Sequence, residues 1–273
     1  MRKCGKWPVG LTSWSYNVGI VELKHLMSAL EVDTLQLQIL PALRGNHEWL
    51  GVAKDAPWQV FSTMHNFEWE AENGGTQDDY RRLCGIGNDA HWEELRRDFA
   101  RGCALTAELG AAYTLMHIGH IDFSDAARGK TLVERARVMG DIAADAGVSI
   151  LLETGMEPAA DLRRLIEEAD RPSLQVNFDP ANLLSFHSDE PLPALALLRP
   201  WVKSVHVKDT IPNPVRGISG DEQVWGDGDV NANRFLRELE RGGFDGPVFI
   251  EREKGEDPIR DAALALRRLE SYK

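Results

Sequence analysis

Cysteine is scarce in this chain. The three present, Cys4, Cys84 and Cys103, are far apart and form no C-x-x-C pair. That excludes a disulfide framework and a zinc ribbon and suits a reducing compartment. Long apolar runs are also missing, and none approaches the ~20 residues of a membrane span. The basic start, residues 1–7, has no apolar stretch behind it, so no secretory signal is expected. Positive charge is the third shortage. Lys and Arg number 31 against 43 Asp and Glu, a net charge of −12. A nucleic acid or an anionic membrane calls for basic patches, so neither is an expected partner. No G-x-G-x-x-G or Walker loop follows the first strand-like run, and no Ser-His-Asp spacing or nucleophilic-cysteine setting stands out. What remains is a soluble, acidic, cytoplasmic globular protein, with its oligomeric state left open.

The composition supports a sizeable core, with 43% hydrophobic and 27% charged residues in 273. Strand-like runs at residues 9–13, 34–39, 59–65, 113–118, 148–153, 174–179, 202–207 and 247–251 alternate with helical periodicity. The helical segments are 21–30, 93–109, 131–146, 161–169, 192–198, 231–241 and 258–269, with the weakest pattern at 47–54. Gly110, Gly147 and Gly242 stand just past helix ends. Strand and helix alternating eight times predicts an α/β fold, a single (β/α)8 TIM barrel forming one domain over 1–273.

Barrel strands covered on both faces usually read as continuous apolar runs, and several here do not. Leu174, Val176 and Phe178 alternate with Gln175, Asn177 and Asp179; Leu35, Leu37 and Ile39 alternate with Gln36 and Gln38. In the seventh strand Val205 and Val207 oppose Ser204, His206 and Lys208. The apolar parity should face the helices, which leaves polar groups in the lumen. They are costly there unless they pair or coordinate something.

Active sites of such barrels lie at the carboxyl ends of the strands. Those ends carry Glu153, Asp179, His206 and Glu251 on consecutive strands, five to eight. Three converging carboxylates would repel one another without a cation. Three oxygen donors and an imidazole suit Mn²⁺, Mg²⁺ or Co²⁺, with Zn²⁺ as a further candidate.

These segments, LLETG from Leu151, VNFDPANL from Val176, SVHVKD from Ser204, WGDGDV from Trp225 and FDGPVFIERE from Phe244, resemble the sugar phosphate isomerase/epimerase superfamily. Its xylose isomerase-like TIM barrels also include metal-dependent AP endonucleases. The resemblance implies that Glu153, Asp179, His206 and Glu251 ligate a divalent metal and that Glu153 and Glu251 move protons. The implied reaction is isomerisation or epimerisation of a ketose, keto-polyol or related carbohydrate through an enediolate. A lyase or dehydratase acting on a keto-sugar or inosose shares the first step and is the alternative. The endonuclease branch is the more distant one, because this chain has Asn182 and Asp229 where that branch has histidines.

Supporting residues follow from position. His65 and His117 end the third and fourth strands and share the parity of Thr63 and Leu115; in the superfamily, histidines here line the substrate pocket or bind further metal. Lys208 has lumen parity and could hold a substrate oxygen, with Asp209 as its partner or as an outer group of the metal site. Trp14 could stack on a sugar ring. The long segments 209–229 and 66–88 are candidate lids, and Arg216 in the first is a candidate clamp for an anionic substrate.

Overall fold

The computed structural model describes residues 2–66 and 83–272. Eight strands form the barrel: β1 (Trp7–Thr12), β2 (Thr34–Gln38), β3 (Gln59–Met64), β4 (Tyr113–His117), β5 (Ser149–Glu153), β6 (Leu174–Phe178), β7 (Val202–Val207) and β8 (Val248–Ile250). Each is parallel to the next, and β8 returns to pair with β1. The surrounding helices are α1 (Ile20–Leu30), α2 (His47–Asp55), α3 (Trp92–Glu108), α4 (Ala126–Asp145), α5 (Ala159–Ala169), α6 (Pro191–Leu198), α7 (Ala232–Arg241) and α8 (Pro258–Glu270). The result is the expected (β/α)8 barrel. None of the helices among the described residues is long and apolar enough to cross a membrane.

Two helix boundaries depart from the sequence pattern for local reasons. α4 begins five residues before the predicted 131, because the Asp125 side chain accepts the N–H groups of Ala127 and Arg128 and starts the helix there. The weak helix at 47–54 is real. Asn46 caps it by accepting from Trp49 N, and only Trp49 and Ala53 are buried, which explains the faint periodicity. Gly110, Gly147 and Gly242 all stand just past helix ends, as expected, but in two conformations. Gly110 and Gly147 adopt φ of +72° and +75° past α3 and α4, but after α7 the left-handed residue is Gly243 (φ +73°), while Gly242 is right-handed.

The alternation in the strands sorts as predicted. Leu35, Leu37, Ile39, Leu174, Val176, Phe178, Val205 and Val207 belong to the main apolar core under the helices. Inside the barrel, Phe61 stacks on Tyr113 with ring centroids 5.0 Å apart and packs against Phe249 at 5.4 Å. Met64, Leu115 and Leu151 form a further small apolar cluster. The polar side chains of Gln36, Asn177 and Ser204 are completely buried and bond to one another. Residue interdigitation therefore closes the barrel interior and confines open chemistry to the carboxyl ends of the strands.

The register is irregular at one place that matters. Leu35 pairs with Val60 and Gln36 with Ser62, so β3 carries one extra residue, Phe61. Beyond such a bulge the side-chain parity inverts. Thr63 accordingly pairs with Leu37 and Thr114 and bonds to Thr106 of α3 at 2.6 Å, facing the helix layer.

Candidate metal centre

Glu153 closes β5, Asp179 and Glu251 follow β6 and β8 directly, and His206 lies one residue before the end of β7. The strands deliver all four side chains to one buried point. One ligand-type atom from each lies within 4.8 Å of the others. His206 Nδ1 is 3.1 Å from Glu153 Oε1, 3.1 Å from Glu251 Oε2 and 3.5 Å from Asp179 Oδ2.

Each of the four side chains is aimed by a neighbour that occupies its other polar atom. His206 Nε2 sits 2.7 Å from Gln36 Oε1, so it donates there and leaves the Nδ1 lone pair for the cluster. Asp179 Oδ1 caps the short helix Pro180–Ser185, accepting from Ala181 N and Asn182 N, which frees Oδ2. Glu153 Oε1 accepts from Asn182 Nδ2 at 3.1 Å, and Glu251 Oε1 accepts from Trp14 Nε1 at 2.6 Å. The remaining atoms are Glu153 Oε2, Asp179 Oδ2, His206 Nδ1 and Glu251 Oε2. All four are buried and make no well-aligned hydrogen bond, although the Lys208 ammonium pairs with Glu251 Oε2 at 2.9 Å. Buried polar atoms left unsatisfied are expensive, and four converging on one point suit a cation. Three carboxylates and an imidazole form an appropriate donor set for a divalent metal.

The electrostatics agree. Burial opposes ionisation of His206, but Glu251 and Glu153 outweigh it and hold the imidazole well above its ordinary value, so without a metal Nδ1 carries a proton that a bound cation would have to displace. Burial lifts Asp179 to about 6 against the pull of Lys208 and His206. Burial also opposes the Glu251 carboxylate, yet His206 and Lys208 together drive it well below the usual range. The site is thus a negative well that gathers positive charge.

Lys208 joins it. Its ammonium is 2.9 Å from Glu251 Oε2, 2.7 Å from Glu253 Oε2 and 3.9 Å from Asp179 Oδ2. His117 Nε2 stands 3.4 Å from Glu153 Oε2 and keeps a quarter of its side chain exposed. Trp14 is present as well, through its indole N–H, with its ring 6.0 Å from that of His206.

Other sequence expectations need correction. His65 does not face the lumen. The bulge turns it toward α3, where it packs on Phe99 and occupies the space a Cβ on Gly102 would need. Burial drives its pKa down to about 3, so it stays neutral. Asp209 is not the partner of Lys208. Its carboxylate accepts the backbone N–H groups of Thr210, Gly226 and Val230, and that wraps residues 224–230 around it. The segment 209–229 is a ribbon of two short antiparallel strands, Asp209–Ile211 and Asp221–Gln223. Arg216 lies exposed at its tip, with no contact to the four-residue cluster among the described residues. Of the other lid segment, 67–82 lies outside the described residues.

Sequence reading missed Gln36, Asn182 and Glu253 as working parts of the site. Asn182 had a usable signal, since it stands three residues after Asp179 on the first turn of a capped helix. It donates to Glu153 and to the Thr154 carbonyl, so it orients a ligand where the endonuclease branch has a histidine. Asp227 is engaged elsewhere, with Arg268 at 3.0 Å.

The family model for the xylose isomerase-like TIM barrel matches residues 61–269. Among solved structures, a xylose isomerase domain protein from Planctomyces limnophilus is 28% identical with a TM-score of 0.85, covering 97% of this chain and 95% of that one. The probable 3-DHS dehydratase of petrobactin synthesis from Bacillus anthracis is 16% identical with a TM-score of 0.75 and coverages of 97% and 99%. The 3-keto-D-glucoside 4-epimerase of E. coli is 18% identical with a TM-score of 0.73, again covering 97% and 99%. No curated protein matches the sequence. By the match over most of its length, the chain belongs to the xylose isomerase-like TIM-barrel family.

Proposed function

We propose that the protein is a divalent-metal-dependent isomerase or epimerase of a ketose, keto-polyol or related small carbohydrate, acting as one domain over residues 1–273. The observation that carries this reading is the buried convergence of Glu153, Asp179, His206 and Glu251, whose ligand-type atoms lie within 4.8 Å of one another. Mn²⁺, Mg²⁺ or Co²⁺ fits that set best. A cation held by these four residues would supply Lewis-acid polarisation of a substrate carbonyl.

The chain's own residues do the rest. Glu153 and Glu251 come from strands separated by β6 and β7 and both reach His206 Nδ1. A substrate carbon between them has a carboxylate available on each side. One takes the proton next to the carbonyl and the other returns a proton to the opposite face, or to the neighbouring carbon for isomerisation. Asn182 and Trp14 fix the two carboxylates through their inner oxygens, so neither has to reorient during the transfer. Lys208 supplies an ammonium next to Glu251 that can bind a substrate oxygen, and His117 lines the opposite rim beside Glu153.

The test is turnover of a panel of ketoses and keto-polyols by protein stripped of metal and then reloaded with Mn²⁺. Conversion to an epimer or isomer that requires the metal is the expected result. Full activity in protein shown to be metal-free would overturn the proposal. Release of water or an aglycone with an unsaturated carbonyl product would replace it with a lyase that shares the first step.

A further inference from the structure

Large apolar side chains that remain exposed are few, and they are not scattered. Among the described residues they are Val21, Ile211, Val215, Ile218 and Ile259. Three of these five crowd the tip of the 209–223 ribbon, where the cation Arg216 is also exposed. A fourth, Val21, lies in a groove of about 480 Å³ at the carboxyl ends of β1 and β2. Ser13 and Gln38, at the carboxyl ends of β1 and β2, form part of its floor. Its walls carry Val18, Ile20, Val21 and Trp49, and its rim carries the exposed carboxylates Glu22 and Glu48.

The two surfaces complement each other. The tip is convex, apolar and positively charged; the groove is concave, apolar and negatively charged. The ribbon is also held rigidly for such a contact. Asp209 gathers three backbone N–H groups at its base, and Gly220 N bonds to Ser185 Oγ near its tip. Glu222 accepts from Arg252 Nη1 at 3.0 Å and from Glu253 N at 2.9 Å, which ties the returning strand to the segment after β8. Ordering the ribbon therefore costs little on association.

We propose that the ribbon tip of one molecule docks in the β1–β2 groove of a second copy of this chain, and that the exchange is reciprocal. Each molecule has one tip and one groove at the same end of its barrel. A twofold axis lets both pairs form at once and closes the assembly as a dimer, whereas a one-way contact would leave an unused tip and groove to propagate. A chain of net charge −12 repels its own copies, so association depends on a local exception to that sign. Arg216 against Glu22 and Glu48 is that exception. The dimer places the partner's ribbon at the carboxyl ends of β1 and β2.

Sedimentation equilibrium of the full chain tests this, with Arg216→Glu, Ile218→Asp and Glu22→Arg/Glu48→Arg variants. These side chains are exposed, so far-UV circular dichroism should stay unchanged. The wild type is expected to be a dimer that loosens at high salt, and each of the three variants a monomer. Combining Arg216→Glu with Glu22→Arg/Glu48→Arg is expected to restore the dimer, which loss of fold could not mimic. A monomeric wild type, a dimer indifferent to these substitutions, or a charge swap that fails to restore association would each overturn the proposal. So would tip variants that leave the mass unchanged and only weaken substrate binding, the mark of a lid over its own site.

Discussion

The Lys208 ammonium lies 2.9 Å from Glu251 Oε2, the same oxygen that stands 3.1 Å from His206 Nδ1. Both side chains are almost fully enclosed, so the pair sits where an uncompensated charge is expensive. Lys208→Met removes the ammonium and leaves Glu251 and Asp179 with His206 as their remaining nearby cation. Metal-free protein should lose about 3–5 kcal/mol of stability, the usual cost of breaking a buried pair. Saturating Mn²⁺ should recover part of it, because the ion restores positive charge at the same point. Urea denaturation with and without Mn²⁺ reads both quantities. Equal losses in the two conditions would disconnect Lys208 from the centre.

Proton transfer through two carboxylates leaves an isotopic record. A carboxyl that has taken a proton can exchange it with solvent, so turnover in D₂O should put deuterium on the carbon next to the carbonyl. Glu153→Gln or Glu251→Gln keeps an oxygen in the cluster but removes the base, and catalysis should fall by roughly 10²–10⁴-fold. Mass spectrometry of the product checks the first point and steady-state rates the second. Unlabelled product together with active Gln variants would indicate direct hydride movement between carbons.

Glu157 gives a pH signature of its own in metal-free protein. Burial, opposed by hydrogen bonds from its own and the Gly155 backbone N–H, pushes its carboxyl from 4.5 to about 8. The folded protein therefore keeps a proton that the unfolded chain has lost. Stability falls as pH rises through that window, by up to about 1.4 kcal/mol per pH unit, and the loss levels off above the folded value. Glu157→Gln is neutral throughout and removes this slope. Urea midpoints at about pH 5 and about pH 8 should fall less between the two conditions in the variant than in the wild type. Parallel behaviour of the two proteins would show that Glu157 ionises normally.

The turn around Asp209 makes a steric prediction. A Cβ on Gly228 would come 2.3 Å from Asp209 Oδ1 and 2.7 Å from Thr210 N, so the turn has room for glycine alone. Gly228→Ala should force the Asp209 carboxylate off its backbone donors and loosen the ribbon. Destabilisation of about 1–3 kcal/mol is expected, with faster amide hydrogen exchange concentrated at Thr210, Gly226 and Val230. Unchanged exchange at those amides would mean that Asp209 does not hold the ribbon.

The barrel was legible because the strands and all helices but the one at 47–55 announce themselves by period, and the strand parity separated core from lumen. The clustering of Glu153, Asp179, His206 and Glu251 was legible for the same reason, since strand ends are readable in one dimension. His65 failed because a bulge at Phe61 is invisible to a count of alternating residues. One extra residue in β3 sends His65 to α3, while His117, on a regular strand, arrives beside Glu153. Asp209 and Lys208 are adjacent in sequence and diverge in space, one into a backbone turn and the other into the cluster. Gln36, which orients His206, stands 170 residues away from it, and only closure of the barrel brings them together.

The most direct test is calorimetric titration of Mn²⁺ into metal-stripped wild-type protein, His206→Ala and Asp179→Asn. Saturable binding by the wild type is expected, weakened by more than about tenfold in each variant, because each loses an atom that faces the ion. A wild type that binds no divalent ion, or variants that bind as the wild type does, would contradict the metal centre.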